Sequence, residues 1–244
     1  MLKKTLIFLM LTLSLATSFA QTGDSDITGD DAYDPFADYS EFEASADEEA
    51  DIHFFKNGRF FNLALLLGPQ MFTEALGEYN NIAPAYGIYF AYFFDIRTAL
   101  QVTYISSSHD FNVPATATSN PINGTTSLST FSVHMKYYFN TQNITRGFAD
   151  LNPYLIGGFG SSQRSIAIIN QTAVAKSSPT GVEFGGGLEV PISRNKMYLG
   201  AQIMYHYVQF SDENMMLADE NQNPTGVTLN GDYITGLFVL GINF

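Results

Sequence analysis

The sequence predicts an all-β protein: an eight-stranded antiparallel transmembrane β-barrel, preceded by a signal peptide and a disordered acidic N-terminal segment. Three observations carry this expectation. Eight runs with a period of two can be counted between Arg59 and Phe244, and their apolar positions share one parity. The connections between the runs alternate, short on one side and long on the other. The polar residues of the runs share the opposite parity, which turns the usual soluble pattern inside out.

Met1 to Ala20 reads as a secretory signal. Lys3 and Lys4 form the basic start and Thr5–Leu15 the apolar centre. Ser18 and Ala20 place small residues at the two restricted positions before a cut at Gln21. The apolar stretch is too short to span a bilayer well as a helix, and no later stretch reaches the ~18 apolar residues a spanning helix needs.

Residues 21–57 form a different material. Gln21–Asp51 holds 12 acids without a Lys or Arg, half of the chain's 24 Asp and Glu. Self-repulsion and scarce apolar mass predict disorder there. Cleavage of the signal takes the formal charge from −13 to −15, while residues 53–244 carry 9 basic and 12 acidic groups. The acidity is therefore a property of the tail. Tyr33, Phe36, Tyr39 and Phe42 recur every three residues among the acids. They suit a solvated spacer, or a docking segment that folds onto a basic or apolar partner. Asp24 to Asp31 lacks the spacing and the closing Glu of an EF-hand loop.

Residues 58–244 supply the barrel. The runs lie at about 59–68, 83–94, 97–109, 126–139, 152–163, 180–191 and 196–210, followed by Asp232–Phe244. Each approaches the ~9–11 residues with which a tilted strand crosses a bilayer. Asp95-Ile96 and Ser193-Arg194-Asn195 are tight turns, and the fourth connection is about a dozen residues. The other four connections are expected to run from about a dozen to twenty residues each. With an even strand count both ends lie on the short-turn side, so the acidic segment is expected in the periplasm.

The outward parity holds Leu63, Leu65, Leu67, Ile88, Phe90, Leu100, Val102, Val133, Leu155, Phe159, Phe184, Leu188, Leu199 and Ile203, with no charge among them. Tyr92, Phe94, Tyr137, Phe139 and Phe244 fall near the turn ends; Tyr104, Tyr205 and Tyr207 fall near the loop ends. Two aromatic belts around an apolar band match two bilayer interfaces. The inward parity holds Asn62, Gln101, Thr103, Ser132, His134, Lys136, Glu183, Glu189, Gln202 and His206, interleaved with glycines.

The last strand places Phe238, Leu240, Ile242 and the terminal Phe244 on one face. That ladder resembles the assembly signature of bacterial outer-membrane barrels. With the signal peptide, the strand count, the loop asymmetry and the Asn152-Pro-Tyr-Leu opening of the fifth run, residues 58–244 resemble the small OmpA/OmpX-like eight-stranded family. The resemblance implies an outer-membrane location in a Gram-negative bacterium, contact with outer-membrane lipid, and delivery by the barrel-assembly machinery. The long acidic extension departs from the family pattern, and the sequence ends at the barrel without a peptidoglycan-binding domain.

Chemistry is sparse. The chain has no Cys, which excludes disulfides, Cys-ligated metals and a lipidated N-terminus. No phosphate loop, nucleotide fingerprint or metal-ligand spacing occurs, so no cofactor is expected. Net acidity speaks against nucleic acid. Ser106–Ser108, His109 and Asp110 are the nearest approach to a nucleophile, a base and an orienter. A polar strand end accounts for them without catalysis. His134 and His206 read as lumen residues satisfied by neighbours. Lys136 and Glu189 stand at equal distance from their turns, two strands apart and facing inward, which predicts an ion pair across the lumen. Glu183 lies higher and is expected to reach Arg164 or to stay wet. The expected role is structural or interactive, with long loops outside and an acidic tail inside. A narrow pore is the first alternative and a lipid-modifying enzyme the second.

Overall fold

The computed structural model describes residues 60–115, 120–139, 151–169, 174–192, 196–210, 217, 226–227 and 229–244. The expected signal peptide, residues 1–20, and the acidic segment with Tyr33, Phe36, Tyr39 and Phe42 lie outside the described residues.

The chain runs β1 (Phe61–Phe72), α1 (Glu74–Tyr79), β2 (Ala83–Phe93), β3 (Thr98–Val113), β4 (Ile122–Tyr138), β5 (Asn152–Ile168), β6 (Val174–Ser177), β7 (Thr180–Ile192), β8 (Met197–Phe210) and β9 (Gly231–Asn243). All pairings are antiparallel, and the sheet closes on itself through β4–β5 and β1–β9. Around the barrel the order is β1-β2-β3-β4-β5-β7-β8-β9. β6 pairs with β5 directly above β7, with Arg164 opposite Ser177 and Ser161 opposite Thr180. It is the upward continuation of the same wall strand, interrupted where Pro179 lacks an amide hydrogen. The barrel therefore has eight staves.

The stagger can be followed residue by residue. Phe61 pairs with Tyr92, then Leu100, Met135, Gly157, Phe184, Tyr205 and Ile234, which returns to β1 at Met71. The ten-residue climb from Phe61 to Met71 forces the strands to tilt, as closed barrels of this size do by about 35–45°. The same climb explains why apolar positions at different points along their strands fall at one level.

The outer face is apolar to a degree that water does not tolerate. Leu65 is 61% exposed, Ile203 66%, Phe159 67% and Phe238 71%. No charged side chain interrupts this band, and it is the surface a bilayer covers. Phe61, Tyr92, Phe94, Tyr137, Phe139 and Phe244 ring its turn side, with Phe61 stacked on Phe90 at 5.5 Å. On the loop side Tyr86, Tyr104, Phe131, Phe159, Phe184 and Tyr207 complete the second girdle. Among the described residues no helix is long and apolar enough to cross a membrane.

Three strands are longer than the lipid-facing pattern predicts. β3, β4 and β5 extend over 16, 17 and 17 residues. Two expected long connections shrink accordingly, to residues 114–121 between β3 and β4 and 169–173 between β5 and β6. The alternation continues above the band, but its outward partner changes. Lipid-facing Tyr104, Phe131 and Phe159 give way to Ser106, Ser129 and Ser161, and large apolar residues such as Phe111, Val113, Ile122, Leu128 and Ile166 now point inward. A pattern defined by outward hydrophobes stops at that change; the backbone pairing does not.

Candidate functional site

The interior is filled in three layers. The layer nearest the turns surrounds a buried ion pair. Lys136 is fully buried, and its Nζ donates to Glu189 Oε1 at 2.7 Å. Tyr138 donates its hydroxyl to Glu189 Oε2 at 3.0 Å. The Tyr89 hydroxyl lies 3.4 Å from both Lys136 Nζ and Glu189 Oε1, and 2.6 Å from the Tyr198 hydroxyl. Tyr198 donates onward to Asn62. The ammonium also stands over the rings of Tyr154, Tyr89 and Tyr138, at 4.0, 4.8 and 5.5 Å from their centroids. A buried cation needs compensation of this kind: one carboxylate and the negative faces of several rings.

Glycines make room for these rings. A Cβ at Gly241 would collide with the Tyr198 ring, and one at Gly187 with the Tyr154 hydroxyl. Gly187 and Gly241 are thus the floor on which Tyr154 and Tyr198 lie.

The middle layer is built on Glu183. His134 Nε2 lies 2.6 Å from Glu183 Oε2, and His206 Nδ1 3.1 Å from Oε1, the second a close contact without hydrogen-bond alignment. His206 stacks on Tyr233 at 4.1 Å and 11° and reaches Thr235 Oγ1 at 3.0 Å. The Tyr233 hydroxyl meets Thr130 Oγ1 at 2.7 Å and Ser162 Oγ at 3.0 Å. Gly160 leaves the volume that the Glu183 carboxylate occupies. The expected approach of Glu183 to Arg164 does not occur. The two histidines intervene, because register places His206 directly opposite Glu183 on β8. Arg164 instead donates to the Leu229 carbonyl at 2.8 Å and lies 4.7 Å over the Phe210 ring.

The top layer is built on an apolar cluster. Phe72, Leu76, Phe111, Val113, Ile122, Leu128, Ile166, Val208, Phe210, Leu217, Leu229 and Tyr233 form one buried cluster. It lies beneath the extended ends of β3, β4 and β5 and is closed by α1 together with Leu217, Val227 and Leu229. Asp232 ties these parts together. Its carboxylate accepts from the Val208 amide at 3.0 Å and the Tyr205 hydroxyl at 2.7 Å. Its carbonyl accepts from the Thr73 amide at 2.9 Å, and its own amide donates to Thr73 Oγ1 at 3.1 Å. The barrel thus carries an extramembrane lobe with a small core of its own.

Ser107 and His109 sit inside this lobe, with Ser107 Oγ 3.0 Å from His109 Nε2. His109 Nδ1 donates to the Asn81 carbonyl at 2.8 Å. Asp110 points to the opposite, exposed face of β3 and does not orient the histidine. The pair anchors residue 81 to the wall. Among the described residues no group of three or more His, Cys, Asp and Glu could hold a metal ion.

The structure brings Lys136 and Glu189 together, and it places Phe238, Leu240, Ile242 and Phe244 along one lipid-facing edge against Leu67, Leu65, Leu63 and Phe61 of β1. Tyr89, Tyr138, Tyr198 and Tyr233 were not among the expected lumen residues, and Tyr154 entered only through the Asn152-Pro-Tyr-Leu opening of the fifth run. Their signal was parity: each alternates with an outward residue, so it faces the lumen and not the aromatic belts.

No protein-family model matches the sequence, and no curated protein matches it. Solved structures do. The chain is 14% identical to Neisserial surface protein A over 75% of its own length and 97% of that chain, with a TM-score of 0.53. OprG from Pseudomonas aeruginosa is 10% identical over 75% of this chain and 96% of that one, at 0.49. The N-terminal barrel domain of Pseudomonas aeruginosa OprF is 17% identical over 75% and 97%, at 0.41. The likeness to Neisserial surface protein A bears out the expected fold, a small closed barrel of eight antiparallel strands.

Proposed function

We propose that this protein is a structural or interaction component of a Gram-negative outer membrane, with a lumen that is a plug and not a channel. The observation that carries this reading is the Lys136–Glu189 pair, held at 2.7 Å inside a ring of tyrosines and overlain by the Glu183 layer and the apolar cap. The interior of an eight-stranded barrel is just wide enough for side chains to fill or for one small ligand, and here side chains fill it. Here each charge is committed to a partner. No step of catalysis and no cofactor enters the reading. Planar bilayers containing the purified protein should stay silent; a steady unitary conductance would replace this reading with that of a narrow pore.

In this reading the lobe stands at the cell surface and the acidic segment, residues 21–57, faces the periplasm after signal cleavage. The Phe238, Leu240, Ile242, Phe244 ladder is the part presented to the barrel-assembly machinery. Tyr33, Phe36, Tyr39 and Phe42 would carry contact with a periplasmic partner. Replacing those four by Ser should abolish recovery of a crosslinked periplasmic partner while the barrel still folds, and unchanged recovery would leave the segment a spacer. Nucleic acid is not among the partners proposed.

A further inference from the structure

The outer face of the lobe carries mostly short hydroxyl and amide side chains. Above the loop-side girdle, the outward positions of β3 are Ser106, Ser108, Asp110 and Asn112; those of β4 are Ser129, Ser127, Thr125 and Asn123; those of β5 begin Ser161, Gln163, Ser165. Pairing aligns them in rows: Ser106, Ser129 and Gln163 in one, and Ser108, Ser127, Ser165 and Lys176 in the next. Ser106 and Ser129 touch at 3.2 Å through their hydroxyls. Solvated surfaces are normally about a quarter to a third Lys, Arg, Glu and Asp. This ladder has only Asp110 and Lys176.

We propose that this hydroxyl ladder binds the saccharide of the outer-leaflet glycolipid surrounding the barrel. The proposal rests on the outer-membrane reading above. Position supplies the first argument. The ladder begins one rung above lipid-facing Tyr104, Phe131 and Phe159, on the same outward face, and so meets what lies directly above the acyl chains. Chemistry supplies the second. Short hydroxyls and amides are both donors and acceptors and match sugar hydroxyls in kind. With so few charges they do not select for phosphate. Rigidity supplies the third. The reverse face is packed on Phe111, Leu128, Ile166 and their neighbours, so the rows are held before anything binds. Short side chains also have little rotamer freedom left to lose on binding.

The test uses the absence of native cysteine in this chain. Single variants Ser108→Cys and Ser127→Cys place thiols on the ladder, and Met71→Cys places one at an outward position of β1, away from β3, β4 and β5, where Met71 is 39% exposed. Each full-length variant is inserted into vesicles of phosphatidylethanolamine with lipid A alone, or with the same glycolipid carrying its core saccharide. Labelling by a water-soluble maleimide should slow several-fold at 108 and 127 with the saccharide present, and remain unchanged at 71. The triple variant Ser108→Val, Ser127→Val, Ser165→Val should also lose any rise in thermal unfolding midpoint that the saccharide produces in the native chain. Equal slowing at all three thiols would mean general crowding and overturn the proposal. So would equal rates in the two vesicles, or protection that follows protein density without saccharide, which would assign the face to a second copy. Failure of the native chain to insert in either vesicle would strike the membrane reading instead.

Discussion

Replacing Lys136 by Met strands a carboxylate; replacing Glu189 by Gln strands an ammonium among aromatic rings. Either change should cost about 3–5 kcal/mol of unfolding free energy, as removal of one member of a buried pair does. Made together, they should cost well below the sum, because the second change removes the charge that the first left unpaired. Denaturant unfolding in detergent or vesicles measures the cycle; additive effects would mean the two groups are independently solvated. A related expectation concerns Gly160. Gly160→Val should destabilise the barrel because the new side chain and the Glu183 carboxylate cannot share the space, and Glu183→Ala should relieve much of that loss. At this scale the sequence was informative where two facts sufficed, parity and distance from a turn: Lys136 and Glu189 had both. Glu183 was harder. Its partners depended on which of His134, His206 and Arg164 lay nearest across strands whose stagger is not written in any one of them.

Among elements, β9 and the β1 edge it closes govern assembly. The Phe244 amide donates to the Phe61 carbonyl at 2.9 Å, and the Phe61 amide lies 3.4 Å from the Phe244 carbonyl. Phe244 is therefore both the last rung of the closing seam and a member of the turn-side aromatic ring. Deleting it should lower the yield of heat-modifiable, membrane-inserted protein more than deleting one residue of Gln21–Asp51; equal yields would remove the seam from the account of assembly. Asp232 governs the other end of the same strand. Asp232→Ala removes the acceptor of the Val208 amide and the Tyr205 hydroxyl and should open the lobe to limited proteolysis without abolishing the barrel's band shift. The strands themselves were legible because their outward residues are lipid-soluble and their period is two. The upper parts of β3, β4 and β5 were not. There the outward residues become Ser, Thr and Asn, residues that also favour turns, while Phe111, Val113, Ile122 and Ile166 face inward, reversing the polarity of the pattern below.

The whole molecule divides its hydrophobic surface between two solvents. The middle of the barrel turns its apolar residues out to lipid and keeps charges within; the lobe turns its apolar residues in, as a soluble domain does. Closure leaves the staves without a free sheet edge within the band, since every barrel strand there is paired on both sides. Two consequences follow for unfolding. The barrel should unfold as one cooperative unit, because opening any seam would expose backbone amides to lipid at several kcal/mol each. The lobe should yield first, because the six-residue helix that helps to close it is tied to the start of β9 by a few hydrogen bonds, those of Leu76 to Asn230 and Thr73 to Asp232. Hydrogen exchange in vesicles should therefore show two tiers. Amides of Leu76, Asn80 and Leu229 should exchange well before those of Val102, Val133 and Leu240. Heating should abolish the upper tier before the compact electrophoretic form is lost. Simultaneous loss of both tiers would mean that the lobe is continuous with the barrel energetically as well as covalently, and that its apolar core contributes to holding the seam closed.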